Sequence, residues 1–437
     1  MTSTLRRAGG FAAVGTLALA APVLGAVAAV PFAVIAALAA FVVDDGPVFE
    51  LFARPGDRKD GRLNGLAGFA LAATGLALLS TLPRMSMPLA VFVAAVFILA
   101  YGNLGEQFVR ASGGDPFVSA TGFILVAFLA GVVGQSAAAY LLVDPVSLPE
   151  VVFLAATGAL VAALLRSVLY ERDDPLVMLS VGLLLWFFDL LAIDVGGLTV
   201  AAALVVTAVL GYLSYALGTA SVPGMLTGVL LGLLTVVLGG FGWFAVLISF
   251  FTIGGLSTKF KYESKRRRGV AEENDGARGS GNVLGNAAVA LVAVIGFAAS
   301  PHLPVPGALF LFAFAGSIAA AMSDTLSSEV GGLYDNPRLI TSFERVDPGT
   351  DGGITWQGEL AGVVGAAVVA CISALLLPIG APLLGALVVV VGGIFGMTVD
   401  SVLGATVEGE RIGNQTVNFL ATLAGALASA ALAAALL

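Results

Sequence analysis

The sequence predicts an all-α fold, a polytopic transmembrane bundle of about 14–15 spans with a cytoplasmic N-terminus. Three observations predict it. Of the 437 residues, 59% are hydrophobic and 11% charged, with a mean hydropathy of +1.02, whereas an ordinary soluble domain carries about 25% charge. A soluble fold has no interior large enough for so much apolar surface. Runs such as 11–43, 117–143 and 198–217 approach or exceed the roughly 20 residues that cross a bilayer as helix. The alternation expected of barrel strands is absent, and backbone groups in lipid must be bonded within their own segment, which leaves helices.

Taken in order, the first run follows Arg6 and Arg7 and continues past Pro22 and Pro31 to Val43. It is too long for a signal peptide and reads as a retained hairpin, 11–28 and 30–43, or equally as one bent helix, which would change the parity of the spans. Charged or Gly/Pro-rich breaks then delimit segments 63–81, 88–105, 117–142, 150–169, 176–191, 197–217, 223–238 and 241–258. Beyond a basic loop come 283–299 and 305–325, and beyond a polar loop come 357–377, 380–400 and 416–437. With the N-terminus inside, the loops carrying Arg54, Arg58, Lys59 and Arg62, then Arg110, Arg166 and Arg172, then the 259–278 cluster, then Arg338 and Arg345, then Arg411 all face the cytoplasm. Arg84 alone falls outside, in keeping with the positive-inside bias. The chain divides near residue 175. Residues 1–175 form a membrane region whose polar groups sit in short connections, and 176–437 carries two unusual cytoplasmic loops.

Several chemistries are excluded. The single cysteine, Cys371, lies inside an apolar span and reads as a small core residue, so there is no disulfide framework and no thiolate metal cluster. The single histidine, His302, sits in a short turn at the membrane edge, which argues against Ser-His-Asp hydrolysis and histidine metal chemistry. A net charge of −8 gives no reason to expect a nucleic-acid partner.

The first loop reads Thr258-Lys259-Phe260-Lys261-Tyr262-Glu263-Ser264-Lys265-Arg266-Arg267-Arg268, followed by Glu272-Glu273-Asn274-Asp275. It sets topology and meets anionic headgroups, or Lys259 and Lys261 hold phosphate oxygens; composition fits both. Asn282 and Asn286 open the next helix, and Asn286, a turn further in, is less readily explained as a cap. In the second loop Asp324 terminates an apolar span, and ionisable groups at that depth are functional candidates. In a continuing helix Glu329 lies about 140° from Asp324, so the two meet a common ion only if the helix unwinds near Gly331. The run Pro348-Gly349-Thr350-Asp351-Gly352-Gly353 reads as a flexible turn or as a source of backbone N–H groups and a hydroxyl for an anion. It is not a nucleotide-binding P-loop, since no Gly-Lys-Ser/Thr follows. Asp400-Ser401-Val402-Leu403-Gly404-Ala405 echoes the segment at Asp324, and a second acid at the same depth supplies another hard oxygen ligand of the kind Mg²⁺ takes.

At these residues the chain resembles the integral-membrane family called domain of unknown function 92, which includes plant phytyl-phosphate kinases and is distantly similar to dolichol and phytol kinases. The matching pieces are Thr-Lys-Phe-Lys at 258–261, Val-Leu-Gly-Asn at 283–286, Ser-Asp-Thr-Leu-Ser-Ser-Glu-Val-Gly at 323–331, Pro-Arg-Leu-Ile-Thr at 337–341, Pro-Gly-Thr-Asp-Gly-Gly at 348–353 and Asp-Ser-Val-Leu-Gly-Ala at 400–405. Two positions depart from the family pattern: Asp351, where serine is expected, and Asn286-Ala287, where Asn-Gly is expected.

The resemblance implies transfer of a phosphoryl group from a nucleoside triphosphate, with CTP the expected donor, to a prenyl monophosphate at the cytoplasmic edge of the cell membrane. In that reading Asp324, Glu329 and Asp400 position Mg²⁺, Lys259, Lys261 and Arg338 offset phosphate charge, and Gly349, Thr350, Gly352 and Gly353 cradle the anion, with Asn286 beside the nucleotide. Such chemistry needs alignment and charge compensation more than a strong base. The alternatives are a cytidylyltransferase that forms a CDP-lipid and a cation-coupled transporter, to which broken helices and intramembrane acids are also suited.

Overall fold

Proline, which lacks an amide hydrogen, fits the first turn of a helix, where that hydrogen would have no partner. In the computed structural model, which describes residues 3–145, 147–170, 173–271, 278–409 and 411–437, the apolar runs begin at such prolines, as in the helices starting at Pro116, Leu148, Val222 and Pro382. Side-chain caps add to this: Asp115 accepts from Val118 N at 2.8 Å, and Thr355 from Gly358 N at 3.2 Å. The chain divides into two compact units, Met1–Val200 and Ala201–Leu437.

The first unit contains α1 (Ser3–Thr16), α2 (Ala21–Leu24), α3 (Val30–Phe41), α4 (Gly46–Phe52), α5 (Pro55–Asp60), α6 (Asn64–Leu79), α7 (Leu89–Ala111), α8 (Pro116–Leu142), α9 (Leu148–Val168) and α10 (Asp174–Leu190). Its core is α7, buried throughout 91–100 and packed on α1, α6, α8, α9 and α10. Close approach of α8 depends on small residues, as is usual between helices in lipid: a Cβ on Gly105 would lie 2.7 Å from the Gly122 carbonyl oxygen. At one end of this unit Arg166 donates to Asn103 and Glu106, each at 3.1 Å, and pairs with Asp174, which also takes Arg54 at 2.6 Å. These charges neutralise one another among α7, α9, α10 and the residue ahead of α5.

The second unit begins within α11 (Gly197–Ala216) and continues through α12 (Val222–Gly239), α13 (Phe241–Lys259), α14 (Tyr262–Arg268), α15 (Ser280–Ala299), α16 (Gly307–Gly331), the two-residue strands β1 (Arg338–Leu339) and β2 (Gly353–Ile354), α17 (Trp356–Leu376), α18 (Pro382–Thr406) and α19 (Asn414–Leu436). Helix α16 is the hub. It packs on α13, α15, α17, α18 and α19, while α17 joins α13 to α18, α19 joins α18 to α15, and α12 lies across α13 and α15. Glycines on α17 and α18 face it: a Cβ on Gly358 would come within 2.7 Å of Ser327 O, and one on Gly393 within 2.9 Å of Ala319 Cβ.

Two expectations from the sequence are corrected here. Twelve of the fifteen segments form helices long and apolar enough to cross a membrane, and a bent pair raises the total to at most 13 among the described residues. The three that differ all lie in the first unit. Segment 30–43 turns through 101° into α4; α6 has 16 residues and α10 has 17, so each rises only about 25 Å against the ~30 Å of hydrocarbon. The compact unit that holds residues 1–175 extends to Val200, since α10 packs on α6, α7 and α9. Cys371, expected in the core, is exposed on α17, whereas His302 is exposed in a turn as expected. Arg172, Glu410 and the acidic stretch 272–275 lie outside the described residues.

The expected orientation has a direct test. A cysteine replacing Ser264 on α14 should react with an impermeant maleimide only after the cytoplasmic side is opened. Labelling in sealed right-side-out vesicles reverses the sidedness.

Candidate functional site

The polar segments of the second unit collect at one end of its bundle. There Gly331, at the end of α16, faces Thr355, ahead of α17; Gly352 rests on Ser401 and Ala405, at the end of α18; and Gly281, at the start of α15, meets Gln415, at the start of α19. Helix α16 continues unbroken through Asp324 to Gly331, which sends its two acids to different neighbours.

Asp324 turns toward α18, where its carboxyl is in hydrogen-bonding contact with that of Asp400. Six or seven residues separate each acid from the end of its helix, so the pair lies about 10 Å below the bundle end. Asp400 Oδ1 is buried without a hydrogen-bond partner. Two carboxyls in contact repel unless a proton or a cation sits between them.

Glu329 turns toward α13 and is not part of that pair. After α13 ends, Lys261 takes a left-handed conformation (φ 50°) and reverses the chain, so α14 folds back over the helix it follows. This carries Lys265 inward. Its ammonium, 1% exposed, donates to Ser257 O at 2.7 Å and Thr258 O at 3.4 Å and pairs with Glu329. The lysine thereby serves two carbonyls in the last turn of α13, of which Ser257 O also accepts from Phe260 N at 3.1 Å. Arg268 fixes the other end of α14, donating to Tyr334 O at 2.9 Å and Asp335 at 2.7 Å. The expected trio of Asp324, Glu329 and Asp400 therefore separates into a carboxyl pair and an ion pair. Among the described residues no three acids, histidines or cysteines are placed to hold one metal ion.

Of the expected phosphate cations, Lys261 and Arg338 are engaged within their own turns. Lys259 and Lys261 are exposed, with the Lys261 ammonium 5.4 Å over the Phe260 ring. Arg338 donates to Phe343 O at 2.6 Å and closes its own turn. Antiparallel pairing of β1 with β2 nonetheless sets Arg338 opposite Ile354, next to the glycine-rich turn. In that turn Thr350 N and Oγ1 both donate to Asp347 O, at 3.2 and 2.8 Å, and Gly353 N donates to Thr350 O at 2.9 Å. Gly349 and Gly352 supply the positive φ values, 86° and 73°. Gly352 is also fixed by space, since a Cβ there would lie 2.5 Å from Ala405 N and 2.6 Å from Ser401 O. The hydroxyl expected to hold an anion is thus used within the turn, and the turn sits on the electronegative end of α18. Asn286 is buried on α15 and its amide donates to Asn282 O at 3.0 Å.

Asp351 faces Glu408 across the α18 end. Burial raises the Glu408 pKa, the Asp351 charge raises it further, and a hydrogen bond with Asn414 opposes both. An acid raised in the fold loses stability as pH climbs from its ordinary value, near 4.5, through the raised one, because the unfolded chain releases that proton first. Asp351→Ser is expected to lower the Glu408 pKa and flatten this decline, read as the unfolding midpoint between pH 4 and 8. Under the phosphoryl-transfer reading that the family resemblance implies, turnover should hold or rise; a loss beyond about tenfold, or ~1.4 kcal/mol in barrier, makes Asp351 a required ligand.

Three residues escaped the sequence reading. Lys265 was one cation among many in a basic loop. Arg278 precedes α15 and sends its guanidinium over Phe250 of α13, 5.2 Å from the ring centroid. Glu359 lies in the first turn of α17 with Oε1 buried and without a hydrogen-bond partner; an acid there reads in sequence as an ordinary complement to the helix dipole.

A multi-pass helical membrane protein with paired acids below one end of its second unit is the class that fold and site define. Within it, the chain belongs to the family described as integral membrane protein DUF92, whose model matches residues 205–426. It is similar to the uncharacterized membrane protein MJ0933 of Methanocaldococcus jannaschii, 37% identical over 211 residues that make up 47% of this chain and 82% of that one. It is also similar to the chloroplastic protein VTE6 of Arabidopsis thaliana, 31% identical over 46% of this chain and 61% of that one, and to the protein PGR of the same plant, 30% identical over 47% and 78%. No solved structure matches. The acid pair, the Lys265–Glu329 pair and the glycine-rich turn all lie inside the matched residues.

Proposed function

We propose that the chain is a membrane-embedded kinase that uses a nucleoside triphosphate, CTP by preference, to convert a prenyl monophosphate to the diphosphate in the cell membrane. The observation that carries the reading is the contact of Asp324 with Asp400 about 10 Å below the bundle end, where a lipid phosphate and a nucleotide from the aqueous side can meet. The family resemblance, which includes phytyl-phosphate kinases, supports the same substrate class.

Two carboxylates from adjacent helices and a buried Asp400 oxygen without a partner fit Mg²⁺, which takes one or two carboxylates and completes its shell with phosphate and water. When bound there, the ion supplies charge neutralisation to phosphate oxygens. Glu329, paired with Lys265, does not fit that role. An oxygen of the lipid monophosphate attacks the γ-phosphorus of the donor, the bond from that phosphorus to the β–γ bridging oxygen breaks, and CDP leaves. The attacking oxygen is already ionised, so no base is required, and the protein's contribution is alignment and exclusion of water.

Purified full-length protein incubated with CTP, Mg²⁺ and geranylgeranyl phosphate is expected to yield geranylgeranyl diphosphate and CDP. CDP-lipid with pyrophosphate would make it a cytidylyltransferase. No turnover together with cation-driven uptake into vesicles would move the acid pair to transport.

A further inference from the structure

The proposed reaction gathers several phosphate charges at one end of the second unit, while Lys261 and Arg338 are engaged within their own turns and Lys265 with Glu329. Arg278 is placed differently. Its backbone N–H donates to Thr219 O at 2.9 Å and its carbonyl accepts from Ser221 N at 3.1 Å, so the residue is pinned beside the start of α12. From there the guanidinium crosses Phe250 and reaches Gly254 of α13, where a Cβ would lie 3.2 Å from Nη2 and 3.5 Å from Cγ2 of Thr325. Glycine at 254 makes room for it. Thr325 is the residue after Asp324, so the guanidinium meets α16 at the depth of the acid pair, on a face about 100° round the helix.

We infer that Arg278 binds phosphate oxygens of the ligand that enters this site, an inference that rests on the proposed phosphoryl-transfer reading. The chemistry of the side chain favours it. Guanidinium is always charged, presents a planar fork that matches phosphate, and when stacked on an aromatic ring keeps its N–H groups directed edgewise. Cations inside a membrane span are expensive and mark functional positions. The arrangement divides the work at one level of α16: carboxylates toward α18 for a metal ion, guanidinium toward α13 for the phosphates.

The phosphate belongs either to the nucleotide or to the prenyl lipid, and binding measurements separate the two. The full chain in nanodiscs with Mg²⁺ is titrated with CTP and, separately, with geranylgeranyl phosphate. Arg278→Gln is expected to weaken one of these ligands at least tenfold and leave the other within about twofold, with the unfolding midpoint little changed. Arg278→Lys, which keeps charge and loses the fork, should fall between. If the Gln variant does not fold, Gly254→Ala crowds Nη2 without altering charge and should produce a several-fold loss for the same ligand. A folded Arg278→Gln or Gly254→Ala protein that binds both ligands like wild type overturns the assignment alone. Wild-type protein that binds neither ligand overturns the phosphoryl-transfer reading and the assignment together.

Discussion

Asp324→Asn is expected to lower turnover of prenyl monophosphate by about 10²-fold or more, equivalent to roughly 2.7 kcal/mol in barrier, while the protein still inserts and folds. The substitution keeps size and hydrogen-bonding capacity, and an amide can still donate to Asp400 across the α16–α18 contact. What it removes is negative charge. A residue that only solvates a helix surface is indifferent to that change, whereas a Mg²⁺ ligand is not. Raising Mg²⁺ should restore part of the lost rate, and Asp400→Asn should behave in the same way. The measurement is product formation across a Mg²⁺ series, with the unfolding midpoint as the control for folding. Near-normal turnover of the folded Asn variant at low Mg²⁺ removes Asp324 from the site.

Much of the second unit was legible because lipid leaves the backbone few choices. Every apolar run from 197 onward became a helix long enough to span, and the polar residues that closed those runs came together at one end. The first unit was less legible. Hydropathy measures how apolar a run is, and it does not register the 101° turn after Phe41 or the early ends of α6 and α10. At the site, the echo of Asp324 in Asp400 was readable as equal depth on two helices, and glycine-mediated packing of α18 on α16 converted equal depth into contact. The partner of Glu329 was not readable. It depends on Lys261 adopting a left-handed conformation, after which one of many neighbouring cations turns inward. A loop's composition does not reveal which of its lysines will be 1% exposed.

That ion pair gives the largest expected effect on stability. Lys265→Met leaves the Glu329 carboxylate, 8% exposed, without its cation and takes the donor from the Ser257 and Thr258 carbonyls. Breaking one side of a buried pair typically costs about 3–5 kcal/mol, because the remaining charge stays buried without compensation. Glu329→Gln strands the lysine instead and should cost somewhat less, since the amide oxygen still accepts from the ammonium. The double variant Lys265→Met with Glu329→Gln should recover part of the loss, for removing both charges relieves the desolvation that either leaves behind. Equilibrium unfolding in mixed micelles of graded SDS content reads all three. The same variants separate this role from the metal-ligand role that the family resemblance implies for Glu329. A ligand's loss lowers turnover at unchanged stability and is eased by added Mg²⁺, whereas the ion pair predicts that stability falls first and that Mg²⁺ does not restore it. Single variants that unfold within about 0.5 kcal/mol of wild type, the range of ordinary surface substitutions, return Glu329 to the metal site beside Asp324.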